Sequence, residues 1–222
     1  ANHTFTLLSD GRLLKSCEFV PVWGSYPACT SSSGCFVSDD NGHAWTAPSG
    51  PGQLVTLPLR GTMENHIAEV PSGQLVMAMR NQLGCVFFAR SSDRGLSWSH
   101  PQASGLSASE SMPSLTRIPT TGDLLLVWNN AAYDHTYDHS GKRTPLTVAV
   151  SRDEGHSWGH VKNIEDDPDT EFSNIACTHL SDGRFIVSYF TSTMADSNPP
   201  GRLGRERMSL KGAISTSDWL YA

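Results

Sequence analysis

The sequence predicts an all-β chain folded as a β-propeller, and three observations carry that expectation. A short string, Ser-x-Asp-x-Gly-x-(Ala/Ser)-Trp, occurs three times, ending at Trp45, Trp98 and Trp158. A second unit, a tight turn followed by an apolar strand, occurs four times and alternates with the first. No long stretch keeps a helical period of apolar residues. Self-similarity at a spacing of several tens of residues is the mark of a repeat architecture.

The elements follow in order. The first turn unit is Ser9-Asp10-Gly11-Arg12-Leu13-Leu14, and the first box runs from Ser38 through Asp40 and Gly42 to Trp45. Ser72-Gly73-Gln74-Leu75-Val76-Met77 precedes the second box, Ser91, Asp93, Gly95 and Trp98. Thr121-Gly122-Asp123-Leu124-Leu125-Leu126 precedes the third, Ser151, Asp153, Gly155 and Trp158. A fourth turn, Ser181-Asp182-Gly183-Arg184, leads into Phe185-Ile186-Val187, and Leu210–Ser215 reads as a closing strand. Ser217-Asp218-Trp219 stands where a further box belongs. Glycine supplies the positive φ of each turn, the Asp side chain accepts backbone N–H groups, and the Trp packs between sheets. Each period therefore holds two hairpins, about four strands, or one propeller blade. About four blades are expected over residues 1–222, as a single domain that begins inside a larger ring.

Composition excludes several classes. The chain has 222 residues with a formal net charge of −6, against the basic footprint of a nucleic-acid binder. No apolar run approaches the ~20 residues needed to span a bilayer. The opening Ala-Asn-His-Thr-Phe-Thr lacks the regions of a signal peptide, which leaves localisation open, a secreted or periplasmic site included if the domain starts upstream. The five cysteines form no CxxC pair and no ligand spacing with histidine, so no metal or other cofactor is expected. Buried free thiols are the first expectation for them and a Cys29–Cys35 bridge the second. Asn2-His3-Thr4 matches a glycosylation sequon.

Aligning the turn glycines locates the propeller axis. The innermost strands read Asn2-His3-Thr4-Phe5, Glu64-Asn65-His66-Ile67, Met112-Pro113-Ser114-Leu115 and Asn174-Ile175-Ala176-Cys177. Their returning partners end at Glu18, Arg80, Asn129 and Phe190. Polar residues at the ends of apolar strands suit a wet axial cavity, and equally suit solvated strand ends. Glu64 and Arg80 form either a structural ion pair or an anion-recognition site with a carboxylate that can steer a proton. Arg143 opens the strand leading to the third box and is placed to deliver a second guanidinium.

With these residues in view, the chain resembles the exo-sialidases built from Asp-box repeats. The resemblance runs from Asn2 to Trp219 and rests on strings such as Met63-Glu64-Asn65, Met79-Arg80-Asn81, Arg143-Thr144-Pro145-Leu146 and Ser151-Arg152-Asp153-Glu154-Gly155. It implies a six-bladed propeller that releases terminal sialic acid from glycans. It also implies three arginines on the sugar carboxylate, a tyrosine nucleophile activated by a glutamate, and an aspartate acid/base. By position Glu64 matches the activating glutamate, and Arg80 and Arg143 match two of the arginines. The first arginine and the aspartate belong to early blades outside this chain. Arg117-Ile118-Pro119 spells the motif of that first arginine but falls just before a turn, after the glutamate's blade.

One departure is large. Nine residues before Gly183, as Glu64 stands before Gly73, comes Asn174, where the family has its tyrosine. Asparagine can hydrogen-bond a sugar hydroxyl or carboxylate but cannot serve as this nucleophile. Tyr189, Tyr133 and Tyr137 are the alternatives, each more at home in a core or loop. The expected substrate contacts are thus Arg80, Arg143, Asn174 and Asn129, with Glu64 catalytic. A carbohydrate-binding or structural propeller without turnover is the competing reading. The stretch Tyr133-Asp134-His135-Thr136-Tyr137-Asp138-His139 is expected as a flexible loop over the pocket mouth rather than a metal site.

Overall fold

The computed structural model describes residues 4–21, 30–137, 139–193 and 208–222. The first sheet contains β1 (Phe5–Leu7), β2 (Leu13–Phe19) and β3 (Ser32–Ser38), paired in that order. The second contains β4 (Met63–Glu69), β5 (Leu75–Arg80), β6 (Cys85–Ser91) and β7 (Gln102–Ser107). The third contains β8 (Ser114–Arg117), β9 (Leu124–Asn129), β10 (Leu146–Ser151) and β11 (Gly159–Glu165). The fourth contains β12 (Thr170–His179), β13 (Arg184–Thr193) and β14 (Ser209–Thr216), followed by a short helix α1 (Ser217–Tyr221). Every pairing is antiparallel between strands adjacent in sequence. Four antiparallel sheets are therefore present, and the first and fourth show three strands, not four, among the described residues.

The sheets follow one another face to face, with β1 and β2 against β4, β4 against β8, and β8 against β12. Alternation along a strand divides its side chains between two interfaces. Leu75, Met77 and Met79 of β5 pack with Leu14, Cys35 and Trp98 toward the first sheet. Val76 and Ala78 of the same strand pack with Leu124, Leu126 and Trp128 toward the third. Leu125, Val127 and Val148 then meet Phe172, Phe185, Val187 and Tyr189 of the fourth. Being buried on both faces explains why β5, β9 and β10 read as nearly continuous apolar runs. The outward faces of the array differ, with Phe5 and Leu7 on β1 and Leu210 and Ile214 on β14 exposed.

The boxes form one repeated hydrogen-bond network. In the third, the Ser151 hydroxyl donates to Asp153 and accepts from the Gly155 N–H, while the Ser157 N–H donates to the Asp153 carboxylate. The first and second boxes make the same bonds through Ser38 and Asp40, and through Ser91 and Asp93. The residue after each Asp, namely Asn41, Arg94 or Glu154, takes a left-handed φ. Trp45 packs edge-on against Phe5 of its own sheet, whereas the other two box tryptophans pack back on the preceding sheet. Trp98 enters the core beside Leu14, and Trp158 stacks on Phe88 at 5.2 Å between ring centroids. The position expected to hold a fourth box is helical instead. Thr216 caps α1 by accepting the Trp219 N–H, and Trp219 still reaches back to Lys162 of the third sheet. A helix here serves the same packing purpose as a box.

Cys17, Cys35, Cys85 and Cys177 carry free thiols, and the Cys35 Sγ donates to the Gly95 carbonyl. Cys29 and the Asn2 sequon lie outside the described residues. Among the described residues no helix is long and apolar enough to cross a membrane.

Candidate functional site

Glu64 and Asn174 share an unusual backbone. In β4, Glu64 and Asn65 stand opposite Met79 alone, between the pairs Met63–Arg80 and His66–Ala78. In β12, Asn174 and Ile175 stand opposite Tyr189 alone, between Ser173–Phe190 and Ala176–Ser188. Each is a β-bulge, and its first residue is left-handed, with φ of 40° at Glu64 and 52° at Asn174. Bulges re-aim side chains and are frequent beside active sites. The two positions equated by counting from the turn glycines thus share the same local backbone.

Around Glu64 lies a cluster of charge at one end of the sheets. Arg80, the last residue of β5, donates from Nη1 to Glu64 Oε2 at 2.7 Å and from Nη2 to Glu110 Oε1 at 3.1 Å. The same Nη2 is 3.3 Å from His139 Nδ1, and because arginine only donates, that nitrogen accepts and the ring proton lies on Nε2. Glu110 is fully buried and also accepts from Arg60 Nη1 at 2.6 Å and Gln82 Nε2 at 2.8 Å. Its backbone N–H donates to the His139 carbonyl, tying the loop before β8 to the loop before β10. Burial, then the nearby charges of Arg143, Arg80 and Arg60, push the His139 imidazole down to about 3, so it is neutral in this company.

Arg143 completes the cluster. It is 4% exposed, and its Nε is buried with no hydrogen-bond partner among the described residues. Burial first, and the Arg80 charge second, lower it to about 10, while Glu171, Glu64 and Glu110 pull the other way. The buried polar Nε of a desolvated guanidinium, still lacking an acceptor, seeks an anion. Its backbone is fixed from behind, since the Arg143 carbonyl accepts from Asn129 Nδ2 at 2.8 Å and from the Phe172 N–H at 2.9 Å.

The structure therefore brings Glu64, Arg80 and Arg143 together. Asn129 is close, but it is fully buried and its amide is committed to the Arg143 and Phe172 carbonyls. Its surroundings are those of a strut behind Arg143 rather than of an open cavity wall. Asn174 is exposed on β12, the first strand of the fourth sheet. Tyr189 is a core residue whose hydroxyl donates to Glu165 at 2.5 Å, and burial followed by that carboxylate raises it far above the ordinary phenol range. Arg117 sits at the far end of β8 on the wall of a cavity of about 630 Å³ shared with Thr6, His66, Glu69 and Thr116, and Glu64 is not among the residues that line it. Asp40, Asp93 and Asp153 are spent on their hairpins.

Sequence reasoning missed Arg60, Glu110 and Glu171, and it read His139 only as part of a loop. Arg60 carries one signal, since it is bracketed by left-handed Leu59 and Gly61. A Cβ at Gly61 would lie 1.9 Å from the Ser31 carbonyl oxygen, so only glycine fits.

A family model described as a BNR repeat-like domain matches residues 3–187. No curated protein matches. Among solved structures, the intramolecular trans-sialidase from Ruminococcus gnavus is similar at 19% identity and a TM-score of 0.70, over 98% of this chain and 44% of that one. A protein of unknown function from Dyadobacter fermentans is 19% identical with a TM-score of 0.69, over 95% of this chain and 51% of that one. The α-L-arabinofuranosidase from Fusarium graminearum is 15% identical with a TM-score of 0.59, over 95% of this chain and 61% of that one. The chain thus spans less than two thirds of each of these structures, with which it shares a fold.

Proposed function

Because this chain belongs to the BNR repeat-like domain family and shares the fold of sialidases, we propose that it is a glycoside hydrolase of that superfamily, releasing terminal sialic acid or a related acidic sugar from glycans. The observation that carries the reading is Arg143, a buried guanidinium whose Nε lacks an acceptor, beside the Arg80–Glu64 pair. In this reading the sugar carboxylate lies on Arg143, with Arg80 alongside. In a dry site such a charge-assisted bond is stronger than in water. Asn129 holds the Arg143 backbone in place. Glu64 is the carboxylate that steers a proton at the anomeric centre, aimed there by its bulge and steadied by Arg80 at 2.7 Å. Asn174 contacts a sugar hydroxyl. The four sheets are part of a six-bladed ring, a proposal supported by the apolar side chains exposed on the two outward faces.

A second reading, a carbohydrate-binding propeller without turnover, is favoured by one observation. Asn174 occupies the bulge equivalent to that of Glu64, where the resemblance calls for a tyrosine. A fluorogenic sialoside separates the two. Hydrolysis that is lost in Glu64→Gln supports the hydrolase, and binding without release supports the second reading. Release that Glu64→Gln leaves unchanged removes Glu64 from the mechanism.

A further inference from the structure

The bulge in β12 presents an amide where a proton-donating nucleophile would have to stand. Asn174 is exposed there, at a φ of 52°, a backbone that asparagine tolerates better than most side chains. Its amide can donate and accept hydrogen bonds but has no oxygen able to attack a sugar. Two tyrosine hydroxyls are engaged with carboxylates outside the charge cluster, Tyr189 with Glu165 at 2.5 Å and Tyr221 with Asp123 at 2.5 Å.

Arg143 links this bulge to the one that carries Glu64. Its carbonyl accepts from the Phe172 N–H at 2.9 Å, two residues before Asn174, and its guanidinium lies in the field of the Glu64 carboxylate. Glu64 is ion-paired with Arg80 at 2.7 Å, and an ionised carboxylate is an acceptor of protons. A sugar with a carboxylate on its anomeric carbon repels an anionic nucleophile and leaves a neutral one unopposed. Glu64 is therefore suited to take a proton rather than to attack. An asparagine in place of a phenol ring also leaves space at the bulge for a water, whose share of the liquid is only about 30 Å³.

We propose that the chain hydrolyses its acidic sugar with inversion, a water molecule beside Asn174 attacking the anomeric carbon directly with Glu64 as its general base. The inference rests on the reading that Arg143 and Arg80 hold the sugar carboxylate. The water oxygen bonds to the anomeric carbon from the face opposite the leaving group and gives one proton to Glu64. The glycosidic C–O bond breaks, its electron pair leaves with the departing oxygen, and that oxygen takes a proton from solvent. Glu64 then returns its proton to solvent. Asn174 Oδ1 accepts the second hydrogen of the water, and its Nδ2 remains for a sugar hydroxyl. No covalent bond between sugar and protein forms.

Proton NMR of the full chain acting on a nitrophenyl α-sialoside tests it, because a phenolate departs without an acid and the first-formed anomer is read before the two equilibrate. The β-anomer is expected first. The α-anomer first means retention through a nucleophile in the chain, which overturns the inference and leaves the hydrolase reading standing. No release of phenolate overturns both. Glu64→Ala is expected to lower turnover about a hundredfold or more, the range of a lost general base. Azide attacks without giving up a proton, so it is expected to restore turnover in that variant and to form the β-sialosyl azide. Full turnover by Glu64→Ala overturns Glu64 as the base. So does a loss that azide leaves unrestored in a variant whose circular dichroism matches the parent.

Discussion

Removal of the Glu110 carboxylate is the most exposed consequence of the charge cluster. Its side chain is wholly buried and accepts from Arg60 at 2.6 Å, Gln82 at 2.8 Å and Arg80 at 3.1 Å. Glu110→Ala leaves two guanidinium groups and one amide short of an acceptor. Breaking a buried ion pair from one side costs about 3–5 kcal/mol, because the remaining charge stays desolvated. Arg80 keeps Glu64 and the His139 nitrogen, which places the expected loss in the lower part of that range, about 3–4 kcal/mol. For a chain of this length each kcal/mol is worth roughly 2–4 °C, so the melting temperature should fall by about 6–16 °C. Glu110→Gln retains one acceptor oxygen but turns an amide donor toward an arginine, and should cost about 2 kcal/mol. Differential scanning calorimetry and urea titration both read the change. A Glu110→Ala variant within 1 kcal/mol of the parent, a shift of roughly 2–4 °C, would refute the view that Glu110 joins Arg60 to Arg80.

Three further outcomes follow from the same geometry. Gly61→Ala drives a methyl into the Ser31 carbonyl and should cost on the order of 3 kcal/mol in urea unfolding; a neutral result would mean the Arg60 loop is not held as described. Asn174→Gly should be stable to within about 0.5 kcal/mol, whereas Asn174→Val at a φ of 52° should lose about 1–2 kcal/mol, and equal stabilities would deny the bulge. His139, pushed down to about 3, leaves the folded chain short of a proton that the unfolded chain takes up below its ordinary value of 6.5. Stability is therefore complete above pH 6.5 and declines as pH falls toward 3; His139→Gln should flatten that decline in melting curves, and an unchanged slope would contradict it.

The fold was legible because its determinants are local. A box needs a serine, an aspartate and a glycine at fixed offsets, and each hydrogen bond it makes closes within four residues. The equivalence of Glu64 and Asn174 was legible for a related reason, since turn glycines set the register and both fall on the same bulge. The helix at Ser217 was hidden by a tryptophan that packs as a box tryptophan does, although its backbone differs. The cluster was only half legible. Glu64, Arg80 and Arg143 sit on or beside strands that the repeat orders, whereas Arg60, Glu110 and His139 come from connecting loops with no period. They meet through burial across two neighbouring sheets, and no spacing along the chain records that. Asn129 ends β9, and its amide nitrogen donates to the carbonyls of Arg143 and Phe172, partners that no spacing along the chain records.

The most direct measurement is a crystal structure of the chain with a sialic acid analogue such as the 2,3-didehydro sugar. The analogue's carboxylate is expected within hydrogen-bond distance of Arg143, with Arg80 alongside and Glu64 facing the anomeric carbon. A carboxylate seated elsewhere, with the Arg143 Nε still lacking an acceptor, would contradict it.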